Sequence, residues 1–216
     1  RPPVEVRDDL PAFEFVQDTT RVQVAVQCAW VLPAEDAEDW PALRLLHRLL
    51  DDGSTARLRR RIVDELTLAY HAGCDLEVYD GLSILTFDVE TSATNVLTVV
   101  DALDDLVSEI INDGVGDDEW ERIRRRYRFE MSCLRDAPSA LCGWMGLQEL
   151  HPPYVSVPER IGQVLGVAQD DLSRVCAVHL APERRQLTVI GDLDPMQRAA
   201  LRRRVHRVRA ATRTEA

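Results

Sequence analysis

Between Asp51 and Asp75 the sequence DDGSTARLRRRIVDELTLAYHAGCD sets three consecutive arginines, Arg59, Arg60 and Arg61, shortly before a tyrosine and a histidine, Tyr70 and His71. Guanidinium groups bind carboxylates through paired N–H donors, and a tyrosine hydroxyl or an imidazole gives and takes single hydrogen bonds. Leu58, Ile62 and Leu66 recur every four residues, which predicts a helix whose apolar face turns the arginines and Asp64 outward. From Leu68 the period falls to two. That predicts a strand with Leu68, Tyr70, Ala72, Cys74, Leu76 and Val78 toward the core, and Ala69, His71, Gly73, Asp75 and Glu77 on the other side. Periodicity thus places Tyr70 in the core-facing set, where a tyrosine fills the core and tethers its hydroxyl to a neighbour.

Elsewhere the chemistry-bearing residues are scattered. Neither H-E-x-x-H nor H-x-x-E-H occurs, and none of His47, His71, His151, His179 and His206 is spaced from a second as a helical metal pair would be, so no metal site is expected in this chain. His179 and His206 fall on predicted helices with no acidic partner one turn away. No G-x-S-x-G elbow occurs, and Ser54 and Ser139 read as turn or cap residues. The glycine pair in GWMG, Gly143 to Gly146, has no strand before it and so is not a phosphate loop. Five cysteines, odd in number and without a C-x-x-C pair, predict buried reduced thiols. Two more arginine triplets, IRRRY at Ile123 to Tyr127 and LRRRV at Leu201 to Val205, share the four-residue apolar frame and read as solvated helix faces. No catalytic set is complete.

The chain has 216 residues, 45% of them hydrophobic, enough for one sizeable core. All 26 of its lysine-type or arginine-type cations are arginine, which removes Schiff-base chemistry and the phosphate-loop lysine. A net charge of −11 sets it against nucleic acid, whose backbone it would repel. No apolar run reaches the roughly 20 residues of a membrane helix, and no signal peptide is visible. The chain opens on Arg1 and not on methionine, which implies a longer precursor; a cytoplasmic location is the default expectation.

The elements that position these residues follow from periodicity. Residues 1–20 read as a linker from a preceding domain, residues 21–193 as the domain proper, and residues 194–216 as an arginine-rich terminal helix opened by Asp194 and Pro195. A strand runs from Val22 to Leu32, a helix from Trp40 to Leu50, and a hairpin joins the Tyr70 strand through a turn at Tyr79 to Gly81 to Leu85, Phe87 and Val89. Ser92 can cap a helix lined by Val96, Val99, Val100, Leu103, Leu106, Val107 and Ile110. Asp117 or Asp118 can cap another, lined by Trp120, Ile123, Tyr127, Met131 and Leu134. After Pro138 a helix reaches Leu150, His151 to Tyr154 breaks the chain, a helix spans 170–180, and Leu187 and Val189 mark a last strand. Hairpin-joined strands with grouped helices predict an α+β two-layer sandwich, its mainly antiparallel sheet covered by helices.

This sequence resembles the second, non-catalytic, mitochondrial-processing-peptidase-like domain of the pitrilysin-type (M16) zinc metallopeptidases. There a Gly-Ser turn leads through S-x-R-L and a short helix into G-L-A-Y; here the matching residues are Gly53, Ser54, Arg57, Leu58, Leu68, Ala69 and Tyr70. The likeness extends over the paired helices from Thr91 to Tyr127, over Asp170 to Pro195, and to the leader RPPVEV. The resemblance implies a partner domain that carries zinc on the inverted H-x-x-E-H motif, in the same precursor or in a separate subunit. The two would close around a peptide or protein substrate. It further implies that Tyr70 holds substrate or stabilises an oxyanion near that zinc. The family's arginine, seven residues before the tyrosine, is Val63 here, which leaves Arg60, one turn earlier, and Arg59 as candidate replacements. Thr67 replaces the family glycine at the helix-to-strand turn. Two readings stand: a substrate-holding half of a zinc peptidase, or a catalytically inactive scaffold or assembly subunit of the same fold. The open contact face of either would also permit self-association.

Overall fold

The structure, a computed structural model, describes residues 11–34, 37–79, 81–150 and 154–215. In chain order the elements are β1 (Phe13–Gln17), β2 (Val24–Leu32), α1 (Trp40–Leu50), α2 (Arg57–Arg59) running into a π-helical turn (Arg60–Glu65), β3 (Ala69–Tyr79) and β4 (Leu82–Thr91). Six further helices and a strand follow: α3 (Val96–Asp113), α4 (Asp117–Cys133), α5 (Pro138–Leu150), α6 (Val157–Leu165), α7 (Asp171–His179), β5 (Gln186–Gly191) and α8 (Pro195–Glu215).

The five strands form one sheet in the order β1-β5-β2-β4-β3. β1 runs parallel to β5, and the other three pairings are antiparallel. Alternation sets its two faces: in β2, Val24, Val26, Cys28, Trp30 and Leu32 are buried while Gln27 and Val31 are exposed. Helices therefore cover one face and leave the other to solvent, the expected α+β two-layer arrangement.

The core lies between that face and the apolar stripes of α1, α3 and α4, with Leu43, Leu46, Phe87, Val99, Leu103 and Ile123 all buried in one cluster. Trp30 meets Phe87 edge-on, ring centroids 5.0 Å apart, and its indole N–H donates to the Ala181 carbonyl at 3.2 Å. One charged pair sits inside: Arg185, 1% exposed, donates to Asp104 on α3, and Arg204 on α8 reaches Asp101 at 2.8 Å.

Several sequence expectations change here. β1 lies inside the span read as a linker, because its F-E-F alternation is short and its partner, β5, is met only at the far end of the chain. Val22 is exposed, and β2 starts at Val24. Helix α3 begins after Asn95 with no side-chain cap, and Ser92 bonds Thr94 instead. Helix α4 follows Gly116, with Asp117, Asp118 and Glu119 in its first turn, where the helix dipole favours acidic groups. The cap on α8 forms as expected: Asp194 accepts from the Gln197 amide at 2.8 Å. Leu201 and Val205 of α8 are buried in the common core. Cys28, Cys74 and Cys176 are buried, whereas Cys133 and Cys142 are exposed. The leader's residues 1–10, Asp80 of the expected hairpin turn and His151 to Pro153 of the expected break lie outside the described residues.

Candidate functional site

The helix predicted from Arg57 does not stay an α-helix. From Arg60 it widens into a π turn, in which the Leu66 amide donates to the Arg61 carbonyl at 3.1 Å, five residues back. The Leu68 amide reaches the Ile62 carbonyl at 2.9 Å. The wider turn alters which residues share a side. Leu58 and Ile62 are buried as the four-residue frame predicts, but Leu66 is rotated out to solvent. Arg60 pairs with Glu65, five positions on, at 3.3 Å, whereas Val63 is half-buried and packs against the core. Arg60 and Val63 thus face different ways, and the expectation that they share a side fails with the α-helical spacing on which it rested. Arg59 is half-buried. Arg61 pairs with Glu65 at 3.5 Å and with Glu109 of α3 at 3.4 Å.

The turn closes at Thr67, whose φ of +51° lies in the left-handed region. A β-branched side chain is strained there, and a glycine would not be. Two residues later the strand begins with a second irregularity. Ala69 pairs with Thr91 and His71 with Glu90, so Tyr70 is an extra residue, a β-bulge at the start of β3. The bulge breaks the period of two that assigned Tyr70 to the core: its side chain is 91% exposed. His71 is exposed too, and burial resumes at Ala72. Thr91 fastens the entry to the bulge, its hydroxyl donating to the Leu68 carbonyl at 2.6 Å.

β3 is an edge strand, and α1 guards its middle. The Asp51 carboxylate accepts the Cys74 amide at 2.7 Å, and His47 Nε2 donates to the Cys74 carbonyl at 2.9 Å. Capping the outward backbone groups in this way keeps another strand from pairing at that point. Donation to a carbonyl requires the proton on Nε2, and burial pushes the His47 imidazole below its ordinary 6.5. The side chains of Tyr70, Arg59 and Arg60 come from adjoining elements, but among the described residues no hydrogen bond or ion pair joins Tyr70 to either arginine.

Sequence spacing missed several of these contacts. His179, read as lacking an acid partner, meets Asp39 at the start of α1 at 2.7 Å, and Arg174 meets the same carboxylate at 2.8 Å. The hydrogen bond from His179 is the main cause that holds Asp39 below the ordinary carboxylate range. Neither Asp51 nor His47 carries a motif; the glycine in mid-strand at 73 was the available signal for crowding around them. Among the described residues no three or more histidine, cysteine or acidic side chains converge as a metal site would require, and no helix is long and apolar enough to cross a membrane.

The fold is a one-faced α+β sandwich whose helix-to-strand junction leaves a tyrosine exposed at an edge strand. The chain belongs to the peptidase M16 inactive domain family, whose model matches residues 1–127. Solved structures that share its fold include the following three. The peptidase M16 inactive domain from Pseudomonas fluorescens superposes with a TM-score of 0.72 at 15% identity, over 83% of this chain and 43% of that one. A protease from Helicobacter pylori gives 0.73 at 18% identity, over 83% and 43%. The inactive peptidase domain of a Bordetella parapertussis protein gives 0.69 at 16% identity, over 77% and 91%. This chain therefore spans less than half the length of the first two. No curated protein matches it.

Proposed function

We propose that this chain is the non-catalytic half of an M16-type zinc peptidase, closing a peptide chamber against a zinc-bearing domain and holding substrate at the start of β3. The observation that carries the reading is the bulge at Tyr70. A large aromatic 91% exposed on an otherwise ordered strand has no role in the core, and three departures from regular geometry within eleven residues lift it there. Strain and bulges cluster where a side chain must be aimed at a ligand. The hydroxyl donates a hydrogen bond to the substrate carbonyl or to the oxyanion that forms from it. Arg59 and Arg60 flank this edge as anion-binding groups for the peptide, Arg60 by releasing Glu65. The zinc and its water are the partner's. This chain contributes position, hydrogen bonds and exclusion of solvent.

The test begins with an H-x-x-E-H domain in the same precursor or in an adjoining reading frame. With that partner, Tyr70→Phe should leave the melting midpoint unchanged and lower turnover about a hundred- to a thousandfold, the effect of one preorganised oxyanion donor. Arg59→Ala and Arg60→Ala should each lower turnover less. Turnover within about twofold of the parent in all three would refute the holding role. A second reading has its own observation. Val63, at the position of the family arginine, is half-buried against the core and offers no cation. A scaffold or assembly subunit of the same fold would show that, and it would bind the partner while Tyr70→Phe changed nothing.

A further inference from the structure

We infer that His71 is a second peptide-contacting side chain, set beside Tyr70 by the bulge and held in place by Gly73; this rests on the reading that Tyr70 holds peptide. Neighbours along a regular strand point to opposite faces. Here Tyr70 is the extra residue between Ala69, opposite Thr91, and His71, opposite Glu90, and Tyr70 and His71 are both open to solvent. Glu90 is engaged by Arg21 at 2.8 Å and is not the acceptor for the imidazole.

His71 is also supported from below. Its Nε2 stands 3.3 Å from the point where a Cβ on Gly73 would lie, and Asp51 Oδ2 stands 3.6 Å from the same point. Gly73 takes no unusual backbone angle, so its missing side chain, and not its flexibility, is what the site uses: the ring lies along the strand in the space that a side chain would fill. The floor under it is rigid, since Asp51 is fastened by the Cys74 amide. A phenol hydroxyl and an imidazole on successive exposed residues each offer both a donor and an acceptor. The ligand they suit is an extended polypeptide read through its backbone N–H and C=O groups, tolerant of side-chain sequence.

The test uses the purified chain and fluorescein-labelled β-casein, an unfolded polypeptide, with binding followed by fluorescence anisotropy. His71→Ala should weaken binding about five- to tenfold, the range of one net hydrogen bond, with no change in melting midpoint. Gly73→Ala should weaken it similarly, because the new methyl displaces the ring. His71→Gln, which restores a donor and an acceptor, should recover most of the loss. If Tyr70→Ala weakens binding and His71→Ala stays within about twofold of the parent, His71 is not a contact and the holding role of Tyr70 stands alone. If the parent fails to bind casein, or neither substitution matters, the peptide-holding reading falls and this inference with it.

Discussion

Helix α4 and the stretch from Arg57 to Leu66 are built on the same sequence device, three arginines inside apolar residues four apart, and they end as different objects. In α4 the frame holds: Ile123 and Tyr127 are buried, and Arg124 lies over Trp120 with its guanidinium 5.1 Å from the ring. In the Arg57 stretch the frame holds for Leu58 and Ile62, then breaks into a π turn, a left-handed threonine and a bulged tyrosine. Periodicity states what a helix needs; it does not state where the chain must leave it. The second stretch has to deliver β3 to the sheet edge under the end of α1, and it leaves the regular path to do so.

The largest effect should separate the two kinds of apolar position. Leu106→Ala, in the regular stripe of α3, should cost about 2–5 kcal/mol. Leu66→Ala, at the position the π turn exposes, should change stability by less than about 0.5 kcal/mol. Urea midpoints for the two variants decide it, and equal losses would mean that Leu66 belongs to the core after all. Next in size is Asp51→Ala, which strands the Cys74 amide at the covered edge and should cost about 1–3 kcal/mol. Faster hydrogen exchange at Cys74, with α3 unaffected, is its local signature.

Glycine substitutions should differ in sign between the regions. Thr67→Gly relieves a left-handed β-branched residue and should stabilise the fold by about 1 kcal/mol. Thr98→Gly, on the exposed face of α3, should destabilise by about 0.5 kcal/mol. Thermal midpoints that fall in both variants would show that Thr67 carries no strain. The smallest effect is a pH step. Burial holds the His47 imidazole below 6.5, so the unfolded chain takes up that proton first. The contribution of His47 is complete above pH 6.5 and declines as pH falls below it. The urea midpoint of the parent should therefore drop more between pH 7 and pH 5 than that of His47→Gln.

How much of this was legible differs by region for a physical reason. Stripes with many members, as in α3, α4 and β2, repeat their signal often enough to fix both element and buried face. The box at Ser156 and Glu159, with bonds of 2.9 Å and 3.4 Å opening α6, was in the sequence as S-x-x-E and was not read, because α6 is short and its stripe brief. β1 went unread since a five-residue strand depends on a partner 174 positions away. At the candidate site the identity of Tyr70 came from a likeness to a family, and its exposure came only from the bulge, which one extra residue creates without any compositional mark. Asp51 and His47 act through contacts 23 and 27 positions distant, beyond any periodic signal.

Arg185 and Asp104 meet in the interior, joining the entry of β5 to α3. Losing either alone breaks a buried ion pair, a change that typically costs about 3–5 kcal/mol, whereas a matched apolar pair in their place is close to neutral. For a domain whose whole stability is on the order of 5–15 kcal/mol, the single-step route is nearly closed. Over generations the two positions are therefore expected to change together more readily than apart, so that the pair behaves as one heritable character.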